Sequence, residues 1–104
     1  MAQFDVFENP DGKTNQAIPY LLDIQADLLD DLATRVVVPL VEASAMGKAV
    51  SHLHPGFTIE NVSVFMSTAE LAGISARSLG KKVGSLADKR PEIIAALDFL
   101  FTGF

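Results

Sequence analysis

Thr34-Arg35-Val36-Val37-Val38-Pro39-Leu40 is the stretch that decides how this chain folds. Three consecutive valines between an arginine and a proline form a β-branched run, the composition of a strand buried on both faces. Pro39 has no N–H for a ladder and is expected to mark the end of that strand or an edge. Arg35 opens an otherwise apolar segment, and a charge there usually meets a carboxylate. Asp23, on the preceding strand, is the expected partner, in an ion pair that specifies the fold and does no chemistry. Gln25 reads as a buried side chain with its hydrogen bonds satisfied.

Upstream, Phe4, Val6 and Glu8 begin a period-2 pattern that stops at Asn9-Pro10-Asp11-Gly12. Pro presets φ and Gly supplies positive φ, so a hairpin is expected to reverse there. The return strand runs from Ile18 to Gln25, with Ile18, Tyr20, Leu22 and Ile24 on one face. Ala26 to Leu32 then places Asp27, Asp30 and Asp31 around Leu28-Leu29, an acidic loop whose leucines are either tucked under or exposed.

Downstream, Val41 to Ser51 is ambiguous, because Gly47 interrupts a possible helical turn. Phe57 to Ile59 and Val62 to Met66 read as a second hairpin around Glu60-Asn61, and Leu71 to Ile74 as a further short strand. Ser75 to Gly84 is punctuated by Gly and Ser and is somewhat basic, which suggests a surface loop. A final helix is expected from Asp88, with Ser85 or Asp88 as cap and Pro91 tolerated in the first turn. Ile93, Leu97, Leu100 and Phe104 share one helical face, widened by Ile94 and Phe101. The fold class is therefore α+β and mainly β: one domain over residues 1–104, a strongly bent antiparallel sheet followed by one helix.

The 104 residues carry 49% hydrophobic and 20% charged side chains, with a mean hydropathy of +0.31. Such an apolar surplus in a small domain usually ends in an interface, so a homodimer is expected. Eight Lys and Arg against 13 Asp and Glu give a net charge of −5. Nucleic-acid affinity depends on cations displacing counterions from phosphates, so direct nucleic-acid binding by this chain alone is not expected. There are no cysteines, which excludes disulfides and thiolate metal sites. The first residues read as a strand and not as a signal peptide, and no apolar run reaches the roughly 20 residues that span a bilayer. A cytoplasmic protein without membrane contact is the simplest reading.

Catalytic patterns are sparse. His52 and His54 could begin a metal site, but the sequence positions no third ligand, so they read as ordinary loop histidines and no metal is expected. Ser63, Ser67 and Thr68 have no evident base beside them. The helix end offers more: Phe101 and Phe104 are harder to bury within one subunit than Ile93 to Leu100, and aromatic anchors suit a partner pocket.

The order and spacing of Gln3-Phe4, Asp23-Ile24-Gln25-Ala26-Asp27-Leu28-Leu29-Asp30, Arg35-Val36-Val37-Val38-Pro39-Leu40, Met66-Ser67-Thr68 and Phe101-Thr102-Gly103-Phe104 resemble the CcdB family over essentially the whole chain. The resemblance implies an SH3-like barrel with a C-terminal helix, a homodimer, no enzymatic activity and no cofactor. It implies a toxin that binds the DNA gyrase A subunit and traps the cleavage complex, is neutralised by a CcdA-like antitoxin, and represses its operon together with that antitoxin. Family gyrase contacts map onto Ala26, Leu28, Leu29, Asp98, Phe101, Thr102, Gly103 and Phe104. Thr102 stands where the best-known members have Trp. Antitoxin contacts map onto the first hairpin loop, at Asn9, Asp11, Lys13 and Asn15. Two other readings remain: an endoribonuclease of the related MazF/Kid fold, which would need a basic RNA groove, and a non-toxic interaction module.

Overall fold

A computed structural model of the chain describes residues 1–103. Seven strands, β1 (Asp5–Glu8), β2 (Tyr20–Asp23), β3 (Thr34–Glu42), β4 (Gly56–Ile59), β5 (Val62–Met66), β6 (Ala72–Ser75) and β7 (Lys82–Ser85), precede one helix, α1 (Arg90–Thr102). All pairings are antiparallel. The strands run in the order β4-β5-β3-β2-β1-β7, with β6 beside β3 off that path. The sheet curls into a half-barrel, the SH3-like architecture with a closing helix. No helix among the described residues is long and apolar enough to cross a membrane.

The valine run forms the centre of β3, but the strand continues through Pro39 to Glu42. The reason lies in its partners. One edge of β3 pairs with β2 throughout, Leu21 facing Pro39. The other edge pairs with β6 over Thr34–Val37 and with β5 over Leu40–Glu42. Pro39 sits at the seam between them, where its carbonyl accepts from Ser67 N–H at 2.9 Å. The missing N–H faces that same seam, so it costs no ladder bond.

Both hairpins form, but the first reverses over the whole loop between Glu8 and Tyr20, closed by Asn9 N–H to Pro19 O at 3.0 Å, and Gly12 does not take the positive φ expected of it. β1 and β2 meet in register Val6 to Leu22. β4 and β5 are joined by Glu60 and Asn61, with φ of 50° and 66°. Positive φ at both central residues is the twist-matched geometry of a two-residue hairpin.

The expected loop at Ser75 to Gly84 is instead largely structured. Arg77 lies in a 3-10 turn, and β7 adds to the edge of β1. The helix begins at Arg90, not Asp88, after a 3-10 turn over Ala87–Lys89. Ser85 Oγ accepts from Ala87 N–H at 3.1 Å, but the cap positions are Leu86 for that turn and Lys89 for α1, and neither end has a side-chain cap. The helical face also differs: Ile93 and Ala96 are fully buried in the same core cluster as Val6, Leu22, Val38, Leu40, Val64 and Met66, while Leu97 packs at its margin. The buried face is thus the one carrying Ile93 and Ala96, rotated from the stripe centred on Leu97 and Leu100.

Candidate partner-binding surfaces

Arg35 is 1% exposed and Asp23 0%. The guanidinium donates to Asp23 Oδ2 from Nε at 2.9 Å and Nη2 at 2.6 Å, and to Asp30 Oδ1 from Nη1 at 2.7 Å. Asp23 Oδ1 accepts from Gln25 N–H at 2.9 Å. Gln25 Oε1 accepts from Val36 N–H at 3.0 Å, and its Nε2 donates to Leu29 O at 2.8 Å. Burial raises the Asp23 carboxyl above its ordinary value, against the opposing pull of Gln25 N–H and Arg35. Asp23 and Arg35 thus pair with each other, and the pair reaches outward to Asp30, a contact not foreseen from the sequence.

This network lies beneath the acidic loop. Asp27–Leu29 form a single 3-10 turn, closed by Leu29 N–H to Ala26 O at 2.9 Å and Asp30 N–H to Asp27 O at 3.1 Å. Leu28 is 96% exposed, and Leu29 and Leu32 about half. A leucine gains by leaving water; this one is held out in it by a braced backbone.

At the other candidate surface, Phe101 is 70% exposed in the last turn of α1, beside exposed Asp98 and Thr102. Thr102 Oγ1 donates back to Asp98 O at 2.6 Å. Gly103 ends the helix in the left-handed region, φ 81°, with its N–H on Phe99 O at 2.9 Å. A glycine takes that conformation without a Cβ clash, which is why helices so often stop at one. Phe104 lies outside the described residues.

These two surfaces are not joined directly by any hydrogen bond or ion pair among the described residues. The bonded route from the loop reaches α1 at Arg90 through Gln3, whose N–H donates to Asp27 Oδ1 at 2.7 Å. Phe101 is eleven residues further on, about 16 Å along the axis.

The first hairpin loop uses several of its polar groups on itself. Asn9 Nδ2 donates to Ile18 O at 2.9 Å and Thr14 Oγ1 at 3.0 Å, and Asn9 Oδ1 accepts from Asp11 N–H at 3.1 Å. Asp11 Oδ1 accepts from Lys13 N–H at 2.9 Å. Asn9 and Asp11 therefore shape the loop, and Lys13 and Asn15 are exposed on it together with Asp11, Thr14 and Gln16.

Of the remaining polar candidates, Ser63 is exposed in β5. His54 Nδ1 accepts from Val50 N–H at 2.8 Å, while the His52 ring lies 6.2 Å from that of Phe99, centroid to centroid. His52, Pro55, Glu92, Ala95 and Phe99 line a mostly apolar hollow of about 430 Å³. No group of three potential ligands for a metal ion occurs among the described residues. Ser67 Oγ donates to Glu70 Oε1 at 2.5 Å, and Thr68 Oγ1 to Leu53 O.

A curled antiparallel sheet, one closing helix, and apolar side chains exposed on a braced loop and a helix end define a small SH3-like domain. The family model described as CcdB protein matches residues 3–103, and the chain belongs to that family. It is thus the toxin member of a toxin–antitoxin pair. The same fold recurs in a solved structure described as an endoribonuclease in complex with its cognate antitoxin from a mycobacterial species. The two share a TM-score of 0.73 and 13% identity, over 94% of this chain and 91% of the other.

Proposed function

We propose that this toxin is a gyrase poison with no enzymatic activity of its own, acting as a cytoplasmic homodimer. It binds the A subunit of DNA gyrase and traps the covalent cleavage complex. A CcdA-like antitoxin contacting the first hairpin loop displaces it, and the two together repress their operon, with DNA binding supplied by the antitoxin. The observation that carries this reading is Leu28, 96% exposed on a loop held rigid from below. The braced backbone beneath this apolar side chain has lost its conformational entropy in advance, and this preorganisation suits an interface anchor. Phe101 offers a second anchor in the last turn of α1. The net charge of −5 fits a protein target better than a nucleic acid.

Expression in cells tests it. Growth arrest is expected with wild-type gyrase, is relieved by a substitution at the toxin-binding site of the gyrase A subunit, and is lost in Leu28→Asp and Phe101→Asp proteins that keep their melting temperature. Arrest that persists in gyrase-resistant cells overturns the proposal. Sedimentation at about 1 μM, a scale of roughly 8 kcal/mol of association, is expected to show a dimer.

Likeness of fold to an endoribonuclease favours RNA cleavage as the second reading. Against it stand the acidic charge and the engagement of Arg35 and Thr68 in buried bonds. Purified protein incubated with RNA separates the two: intact RNA is expected.

A further inference from the structure

Leu28 lies between two tethers of different origin. Its C-terminal side is held from inside the fold, where Gln25 grips Leu29 O and Arg35 grips Asp30. Its N-terminal side is held by the segment preceding β1, through Gln3 N–H on Asp27 Oδ1 at 2.7 Å. The Gln3 side chain extends this contact in two further directions. Nε2 donates to Ile24 O at 3.2 Å, at the root of the loop, and Oε1 accepts from Arg90 Nη1 at 3.0 Å, in the first turn of α1.

The backbone here is strained in a way that serves this reach. Phe4 is buried and has φ 73°, a conformation rare for a bulky side chain. It is held there on both sides, by Phe4 N–H to Asp23 O at 2.6 Å and Leu86 N–H to Phe4 O at 2.8 Å. The guanidinium of Arg90 lies 5.6 Å from the centre of the Phe4 ring, within cation–π range. The kink turns Gln3 out of the line of β1 and toward the loop.

We infer that Gln3 is a positioning residue: it clasps the acidic loop to the base of α1 and so fixes Leu28 relative to the helix that ends in Phe101. The inference rests on the reading of the loop as a docking surface, and it adds a residue that touches neither anchor. Gln3→Ala removes the contacts to Ile24 and Arg90, Asp27→Ala removes the acceptor of the Gln3 N–H, and Arg90→Met removes the far end while keeping an apolar stem on Phe4.

Amide hydrogen exchange on the whole protein reads the clasp without any partner. All three variants are expected to speed exchange at Leu29 and Asp30 by about tenfold, with the amides of β2 and β3 still protected and the melting temperature little changed. Gln3→Ala combined with Asp27→Ala is expected to add little to the larger single effect, because both cut one route. Affinity for a gyrase A fragment is expected to fall about tenfold in the same variants. Gln3→Glu, which keeps the acceptor for Arg90, is expected to retain part of it. Unchanged exchange at Leu29 and Asp30 in all three single variants overturns the clasp, as does a rise shared equally by β2 and β3. Faster loop exchange with gyrase affinity untouched in both Gln3→Ala and Leu28→Asp supports the clasp and overturns the reading of the loop as the docking surface.

Discussion

Arg35→Met is the substitution that tests the polar centre of this fold most directly. Methionine keeps most of the side-chain volume and removes three hydrogen bonds, two to Asp23 and one to Asp30. Asp23, 0% exposed, is then left with Gln25 N–H as the donor that remains to it. Removing one partner of a buried pair costs about 3–5 kcal/mol, because the other charge stays buried without compensation. For a domain of this size, at roughly 4 °C per kcal/mol, the melting temperature falls by at least about 12 °C. The pH dependence has a definite sign. Burial already raises the Asp23 carboxyl above 3.8, and the guanidinium opposes that rise. Without Arg35 the folded carboxyl titrates higher still, so the folded state holds the proton more tightly than the unfolded one. Its penalty is absent below the unfolded value near 4 and grows as pH rises through the folded value. The gap in melting temperature between variant and parent therefore narrows as pH is lowered from 7 toward 4. Asp23→Asn in the same background removes the stranded charge, recovers about 1 kcal/mol or more at pH 7, and flattens that dependence. Differential scanning fluorimetry or calorimetry across this range measures it all. A single variant that loses less than about 1 kcal/mol, or whose deficit does not vary with pH, refutes the assignment of Asp23 as a buried charge dependent on Arg35.

Tyr20 is the chain's one tyrosine, and there is no tryptophan, so phenolate absorbance reports it alone. Burial, and then Glu60 at 2.9 Å, push its pKa to about 12; the stability this contributes is complete below pH 10 and is lost as pH rises toward 12, and Glu60→Gln is expected to lower the titration midpoint while leaving it above 10. Gly80→Ala is expected to cost about 1–3 kcal/mol by chemical denaturation, since its Cβ would stand 2.6 Å from Glu8 O, a backbone atom that cannot move without loosening the β1–β7 edge. Thr68→Val, nearly isosteric, leaves Leu53 O without its buried donor and is expected to cost about 1–3 kcal/mol in the same assay.

What could be read from the sequence was local. Asn9-Pro10-Asp11-Gly12 announces the end of β1, though not the long loop that follows, Glu60-Asn61 announces a tight reversal, and the Val36–Val38 run announces a strand because β-branching restricts χ1. β7 was hidden for the opposite reason. Lys82-Val83-Gly84-Ser85 has little strand character, and its pairing comes from β1, more than 70 residues earlier, where Gly80 lets the backbone of Glu8 approach. Pro39 misleads in the same way, since its tolerance depends on β3 changing partners at that residue. At the candidate site, Asp23 and Arg35 could be paired because charges in apolar strands need partners. That Arg35 also reaches Asp30, and Gln3 reaches Asp27, required the tertiary placement of an irregular loop.

The location of the buried polar groups bears on why the network exists at all. Six polar or charged side chains are buried among the described residues, and three of them, Asp23, Gln25 and Arg35, lie together beneath the loop that carries Leu28. Stability alone does not require this, because a buried ion pair replaced by apolar residues of similar volume is often no less stable. An apolar replacement, however, has no directional donors. It could fill the space under the loop, but it could not hold Leu29 O at 2.8 Å or the Asp30 carboxylate at 2.7 Å. Those bonds stop the turn at Asp27–Leu29 from folding inward, which Leu28 would otherwise favour by about 2 kcal/mol of burial. Rigid polar bonding below thus sustains apolar exposure above. In this fold the ion pair that holds the core polar centre together also sets the geometry of a surface.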